Sequence, residues 1–325
     1  MDDSTDGFII VMGVTGAGKS YFLNKLHEEN VVAEGHHLSS ETETCQAVQI
    51  YLDQEKSRSI TVIDTPGFDD TNRSPAAIFA EITDYLTAQY DSGIPLRGVL
   101  FLHKITDNKM TGTSKSYLQL FNNMVGSRAM KNVILVTTMW NTLHPAQWQI
   151  ARDRELELRD KFWKHMIDQG SYAKRFDGSR ESALALIGSL VGRPGVVLDI
   201  QREISGQGLP IPETTAGVEL VRMMDRDRPG FEQSLVKIEN ELNRELRRRP
   251  VDKGRIELLK DEKKRVAKIV ALMSSPQEKL KRQPGGSMQE RLQQVMKQSG
   301  AQLVAALGIV LNMTYFIVQL TAGTA

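Results

Sequence analysis

The sequence predicts an α/β fold: a mostly parallel central sheet covered by helices on both faces, followed by an α-helical C-terminal extension. Three observations lead there. The octet Gly13-Val14-Thr15-Gly16-Ala17-Gly18-Lys19-Ser20 has the form G-x-x-x-x-G-K-S, between an apolar run at 8–12 and a helical pattern through Phe22, Leu23 and Leu26. The tetrad Asp64-Thr65-Pro66-Gly67 closes a second apolar run at 60–63. From residue 7 to about 200, short apolar runs alternate with amphipathic stretches, as in a sheet whose strands are joined by crossover helices.

Taken in order, the apolar runs predict strands at 8–12, 47–52, 59–63, 98–102 and 132–136, with a short strand-like segment ahead of Lys174. Helical patterns fall at about 75–90, 114–125, 146–169 and 179–191. Gly13, Asp64, His103 and Thr137 each follow a strand end. The carboxyl edge of the sheet is therefore where the chemistry is expected.

The octet is suited to phosphate. Its glycines let the backbone curl until successive N–H groups point inward, and the next helix turns its positive dipole end toward the same charge. Lys19 is expected to reach the β- and γ-phosphates of a nucleotide, and Ser20 to ligate Mg²⁺. Gly13, Thr15, Gly16, Ala17, Gly18 and Tyr21 complete the predicted cradle. In the tetrad, Asp64 would hold the metal, directly or through water. The Gly67 N–H would sense the γ-phosphate, since a residue without a side chain permits that approach. A switch threonine should lie between the two motifs. Thr42 and Thr44, in Ser39-Ser40-Glu41-Thr42-Glu43-Thr44-Cys45, stand just before a predicted strand.

Base recognition is expected at Thr137-Thr138-Met139-Trp140-Asn141. Guanine sites usually offer a carboxylate to N1 and N2 of the base. Asn141 takes that place here, and a neutral amide accepts less strongly than a charged group. Thr138 and Asn141 are placed near the base, and Met139 or Trp140 is a candidate cover, Trp140 being equally readable as core. Arg175 and Phe176, in Lys174-Arg175-Phe176-Asp177-Gly178, are candidates for the opposite wall. Phe68 occupies the slot from which many GTPases orient water with a glutamine, so hydrolysis is expected to be slow. His103 and Lys104 follow the fourth strand near the phosphate edge. A cation there reaches a nucleotide across a dimer interface, or is simply a solvated loop lysine.

The chain has 325 residues, of which 25% are charged, and a net charge of +1. Such a balance creates no global field for nucleic acid. The single cysteine, Cys45, permits no internal disulfide framework and fits a reducing, cytoplasmic compartment. The acidic start, Met1-Asp2-Asp3-Ser4-Thr5-Asp6, lacks the basic region of a signal peptide. The phosphate-loop domain is read over 7–200. A linker follows at 201–230, signalled by Gly206-Gln207-Gly208-Leu209-Pro210-Ile211-Pro212 and Arg228-Pro229-Gly230. Charged amphipathic helices occupy 231–299, with stripes through Leu235, Ile238, Leu242 and Leu246 and then Ile256, Leu259, Val266, Ile269, Val270 and Met273. They pack on the first domain, or form a hairpin or coiled coil against another chain. A hydrophobic helix is read at 300–322. Its uncharged run at 303–320 approaches the ~20 residues of a bilayer span, with Arg282, Arg291 and Lys297 on its N-terminal side. That run is a candidate tail anchor in an intracellular membrane, a docked helix, or an interfacial one.

The phosphate loop with nearby Asn24, then Thr42-Glu43-Thr44-Cys45-Gln46, then Asp64-Thr65-Pro66-Gly67-Phe68-Asp69-Asp70-Thr71, resembles the septin-related, immunity-associated GTPases, the GIMAP and AIG-type group. The resemblance covers about 7–200 and implies a P-loop GTPase (G) domain. It selects Thr42 over Thr44 as the switch threonine, three residues before the cysteine. It also implies homodimers or oligomers through the nucleotide face. Lys104-Ile105-Thr106 sits where members carry an Arg-aromatic-Thr finger, with lysine lacking arginine's bidentate fork. Several members end in a hydrophobic membrane segment.

These readings predict a GTP-binding switch with GTP or GDP and Mg²⁺ as ligands. Lys19, Thr42, Gly67 and Lys104 form the catalytic set, with Ser20, Thr42 and Asp64 about the metal. Nucleotide would order the loops at 31–44 and 68–75. Two alternatives stand beside it: a nucleotide-gated oligomeric scaffold with negligible turnover, and an ATP-using protein, against which the tetrad argues.

Overall fold

A computed structural model describes residues 7–26, 46–52, 58–68, 70, 73–248, 252–274, 280 and 315–319. Its strands are β1 (Phe8–Gly13), β2 (Gln46–Tyr51), β3 (Ser59–Asp64), β4 (Leu96–Lys104), β5 (Val133–Thr138), β6 (Tyr172–Arg175) and β7 (Tyr315–Gln319). They form one sheet in the order β6-β5-β4-β1-β3-β2-β7. Only β2 against β3 is antiparallel; the other neighbours are parallel. β1, β3 and β5 are buried along their whole length. Their unbroken apolar runs reflect a sheet covered on both faces. The register sets Val11 beside Asp64, Gly13 beside Leu102 and His103 beside Thr137, so the motif-bearing strand ends share one edge.

The helices are α1 (Lys19–Leu26), α2 (Pro75–Asp91), α3 (Gly112–Val125), α4 (Trp148–Glu157), α5 (Lys164–Asp168), α6 (Arg180–Val191), a single turn α7 (Asp199–Gln201), α8 (Thr215–Arg247) and α9 (Lys253–Met273). Side chains that bond the orphan N–H groups start many of them. Ser74 caps α2 at 3.0 Å, Thr111 α3 at 3.1 Å, Ser179 α6 at 3.1 Å, Thr214 α8 at 3.0 Å and Asp252 α9 at 2.9 Å. Each such cap contributes about 1 kcal/mol.

Three expectations are corrected. The helix read over 146–169 is broken. After α4 comes a wider turn at Leu158–Phe162, where the Trp163 N–H reaches the Leu158 carbonyl at 2.7 Å, and then α5. The inserted residue turns Trp163 inward, where its ring is fully buried and meets His103 edge-on at 6.1 Å.

The linker read at 201–230 is instead mostly helical, and α8 runs straight through Arg228-Pro229-Gly230. An interior proline costs about 3 kcal/mol. Here Pro229 and Gly230 face solvent, while Leu220, Met223 and Met224 before them and Ile238 after them are buried. Packing therefore outweighs the local signal. The base of α8 lies on α3 and α2, and α9 folds back along α8. Ion pairs Lys263–Glu239 at 3.0 Å and Arg255–Glu241 at 3.3 Å cross between them.

The hydrophobic helix read at 300–322 is a strand at 315–319, where β7 extends the sheet beside β2. Tyr, Phe, Ile and Val suit a pleated surface better than a helix. The rest of that run lies outside the described residues. Among the described residues no helix is long and apolar enough to cross a membrane, so the tail-anchor expectation finds no support.

Candidate functional site

The site forms where β1, β3, β4 and β5 end. β1 stops at Gly13, whose φ is +149°; a Cβ there would lie 2.4 Å from the Leu102 carbonyl oxygen, so only glycine fits against β4. The loop then turns, with the Ala17 N–H bonded to the Val14 carbonyl at 3.2 Å, and α1 opens at Lys19. Lys19 is buried, and its ammonium donates to the Val14 carbonyl at 3.1 Å. That bond holds the cation in the mouth of the loop. Gly16 lies on the exposed lip and Tyr21 half-buried in the first turn of α1.

β3 delivers Asp64, fully buried, to the same place. The Ser20 hydroxyl donates to Asp64 Oδ2 at 2.7 Å. The Thr65 hydroxyl donates to the Val11 carbonyl at 3.0 Å and so fastens the tetrad to β1. Gly67 presses against the loop: a Cβ on it would stand 2.2 Å from Thr15 Oγ1, 2.6 Å from Thr15 N and 2.8 Å from Thr15 Cα. The two motifs, about fifty residues apart in the chain, touch backbone to backbone. Two hard oxygens from Ser20 and Asp64, within one ion's reach, fit Mg²⁺. That ion takes few protein ligands and fills its shell with phosphate oxygens and water. Among the described residues no group of three or more His, Cys, Asp or Glu is gathered for a metal. Thr42 and Thr44 lie outside the described residues, as do residues 31–41 and 43 of the first predicted switch loop.

Phe68 points away from the phosphate side. Its ring is buried and stacked on Tyr117 at 5.8 Å, so this slot contributes to the core.

On the base side, the backbone after β5 turns sharply at Met139, whose φ of 64° is the only positive value on a non-glycine among the described residues. A Cβ on Gly18 would meet Met139 Cε at 3.3 Å, so this side chain borders the loop. Asn141 is exposed, donating from Nδ2 to the Tyr21 hydroxyl at 3.3 Å, and that hydroxyl donates to the Gly178 carbonyl at 3.2 Å. α1, the β5 turn and the loop after β6 are thus tied together around one rim.

Thr138, Phe176, Arg175 and Trp140, the last equally readable as core, all carry contacts within the protein. The Thr138 hydroxyl donates to the Ala17 carbonyl at 2.8 Å, locking β5 to the phosphate loop. Trp140 is buried, donating from Nε1 to Thr137 Oγ1 at 2.9 Å. Phe176 is buried against Phe22, ring centroids 5.1 Å apart. Arg175 forks onto Glu155, with Nε at 3.0 and 2.9 Å from the two carboxylate oxygens and Nη2 also bonded. Its guanidinium lies 4.2 Å above the Trp140 ring, and the hydrogen bond to Glu155 raises its pKa. Glu155 went unremarked in the sequence. It lies twenty residues from its partner, on a helix whose charges at Arg152, Asp153 and Glu157 are exposed, and nothing local marks it as buried.

Lys104 ends β4. Its Nζ pairs with Asp107 Oδ1 at 3.2 Å and lies 4.0 Å from where a Cβ on Gly16 would stand, beside the phosphate loop of its own chain. Neighbouring His103 is buried, and desolvation lowers its pKa below the usual 6.5; Asp107 opposes that shift, while Lys104 adds to it.

The model of the AIG1 family matches residues 8–155. GTP-binding protein A of Dictyostelium discoideum is 28% identical over 148 residues, 45% of this chain and 31% of that protein. Cell division control protein 11 of Saccharomyces cerevisiae is 31% identical over 93 residues, 26% of this chain and 22% of that protein. The chain thus spans about a third or less of these relatives' length. Among solved structures, Toc33 from Arabidopsis thaliana in complex with GDP and Mg²⁺ aligns at 16% identity over 61% of this chain and 89% of its own, TM-score 0.48. A variant of Era from Aquifex aeolicus bound to GDP and AlF₄⁻ aligns at 17% identity over 59% and 58%, TM-score 0.43.

Proposed function

We propose, from the premise that residues 8–155 form a G domain of the AIG1 type, that this protein binds Mg-GTP and hydrolyses it slowly as a molecular switch. The observation that carries the reading is the contact of Gly67 with Thr15, beside a buried Lys19 and the Ser20–Asp64 pair. A nucleotide's terminal phosphate is recognised where these two motifs meet.

Gly13, Thr15, Gly16, Ala17 and Gly18 hold the phosphates through backbone N–H groups, and Lys19 supplies charge to the β- and γ-phosphates. Ser20 and Asp64, with Thr42, hold Mg²⁺, which neutralises charge on the phosphates when bound. Gly67 moves with the γ-phosphate and carries that movement to the segment after it. Asn141 accepts from the base on the rim shared with Tyr21 and Gly178. Dimerisation across the nucleotide face, or a partner, speeds the reaction. Toc33 structures include a dimerization-deficient mutant, which motivates that step.

The burial of Phe68 favours a second reading, a nucleotide-gated scaffold, because no side chain from that slot orients water. Hydrolysis rate against protein concentration separates the two: a steep rise marks dimer-activated turnover, and a flat, near-zero line marks a scaffold.

Calorimetric titration of the full chain with GDP, a GTP analogue and an ATP analogue in Mg²⁺ tests the premise. The expected result is guanine binding well above adenine binding, abolished by Lys19→Ala. Equal binding, or preference for adenine, overturns it.

A further inference from the structure

Resting on the GTP reading above, we infer that Lys104 serves the nucleotide of its own chain, as a built-in cation at the phosphate-loop lip that Asp107 holds in reserve. The backbone carrying Lys104 is fastened to that loop. Lys104 pairs with Thr138 in the β4–β5 register, the Ile105 N–H bonds the Thr138 carbonyl at 3.1 Å, and the Thr138 hydroxyl bonds the Ala17 carbonyl at 2.8 Å. The position of its Cα is therefore set by the loop it serves.

The side chain already points there. Nζ lies 4.0 Å from the Cβ position of Gly16, on the loop between Gly13 and Lys19. Lysine's long stem covers the few ångströms to a phosphate oxygen by rotation about its own bonds. Its present partner, Asp107, is three residues along and pairs at 3.2 Å, with side chains 33% and 28% exposed. Half-exposed pairs of this kind exchange readily for a denser negative charge. Arg154 braces the turn between the two residues, donating to the Ile105 carbonyl at 3.2 Å and to Asn108 Oδ1 at 2.6 Å. Asp107 is thereby kept within reach and Lys104 is parked rather than lost.

In hydrolysis, water attacks the γ-phosphorus as the bond to the β–γ bridging oxygen breaks. The electron pair stays on that oxygen of GDP, and the water proton leaves with inorganic phosphate or to solvent. Lys104 gives up no proton. It stabilises the negative charge that grows on the bridging and β-phosphate oxygens.

A cation within the chain acts at any dilution, whereas one from a partner does not. The test compares GTP turnover by full-length wild type and Lys104→Ala from nanomolar to tens of micromolar protein, with GTP-analogue affinity measured beside it. The expected result is a loss in kcat of about 10²–10³-fold that stays constant across the whole concentration range, with analogue Kd little changed from wild type. Asp107→Asn should raise kcat in the wild-type background and do nothing in Lys104→Ala. A ratio that converges on one at high dilution means that the lysine works across a dimer, and overturns the inference. Equal rates throughout, or binding without turnover, also overturn it while leaving nucleotide binding standing. Absence of guanine binding by the wild type removes the underlying reading instead.

Discussion

Replacing Gly67 by alanine tests the proposed link between the two phosphate motifs. A Cβ would stand 2.6 Å from Thr15 N and 2.8 Å from Thr15 Cα, both backbone atoms, so no side-chain rotation relieves the clash. Restoring ordinary contact of roughly 3.5 Å requires the two segments to part by about 0.9 Å. A misplacement of about 1 Å in a catalytic group costs about 10²-fold in rate, and that loss in kcat/KM for GTP is the expectation. Overpacking costs about 1–3 kcal/mol, a fall in Tm of about 2–12 °C for a domain of this size. Gly188→Ala is the matched control: it faces open space on α6 and should stabilise by about 0.5–1 kcal/mol with turnover unchanged. Single-turnover hydrolysis with thermal unfolding reads both quantities. Wild-type turnover in Gly67→Ala would refute the claim that this contact couples the motifs.

Other consequences follow from the same coordinates. Phe68→Gln should not accelerate hydrolysis, because this slot is stacked on Tyr117; chemical denaturation should show a loss of at least about 2 kcal/mol. Arg175→Ala should cost about 1–3 kcal/mol, by stripping the fork from buried Glu155, yet leave GTP-analogue affinity unchanged by calorimetry. Burial lowers the His103 pKa, so below 6.5 the unfolded chain takes up a proton that the folded chain resists. Stability from this group is complete above pH 6.5 and is lost as pH falls toward the folded pKa, with a slope of at most about 1.4 kcal/mol per pH unit. Denaturation at pH 5.5 and 7.5 should show a gap that narrows in His103→Gln.

Much of this was legible in the chain order of residues. The short apolar runs at β1, β3, β4 and β5, bounded by turn residues, read as strands covered on both faces, and the glycine-rich octet followed by a helix reads locally as a phosphate loop. Asp64 and Gly67 were readable because a tetrad at a strand end makes its contacts through backbone and one carboxylate. The base side was not readable in the same way. Arg175, Phe176, Thr138 and Trp140 look like ligand residues in sequence, being polar or aromatic beside a motif. Glu155, Phe22, Ala17 and Thr137 claim them in three dimensions. Arg228-Pro229-Gly230 reads as a break until the methionines and leucine before it find α3 and α9. Local chemistry, carried by spacing of a few residues, marked the octet and the tetrad as the expected places for phosphate and metal. Only the tertiary structure decided which neighbouring side chains were already bonded within the protein and set Lys104 beside the Gly16 loop of its own chain, because those partners are set by strand register across the sheet and leave no pattern along the chain.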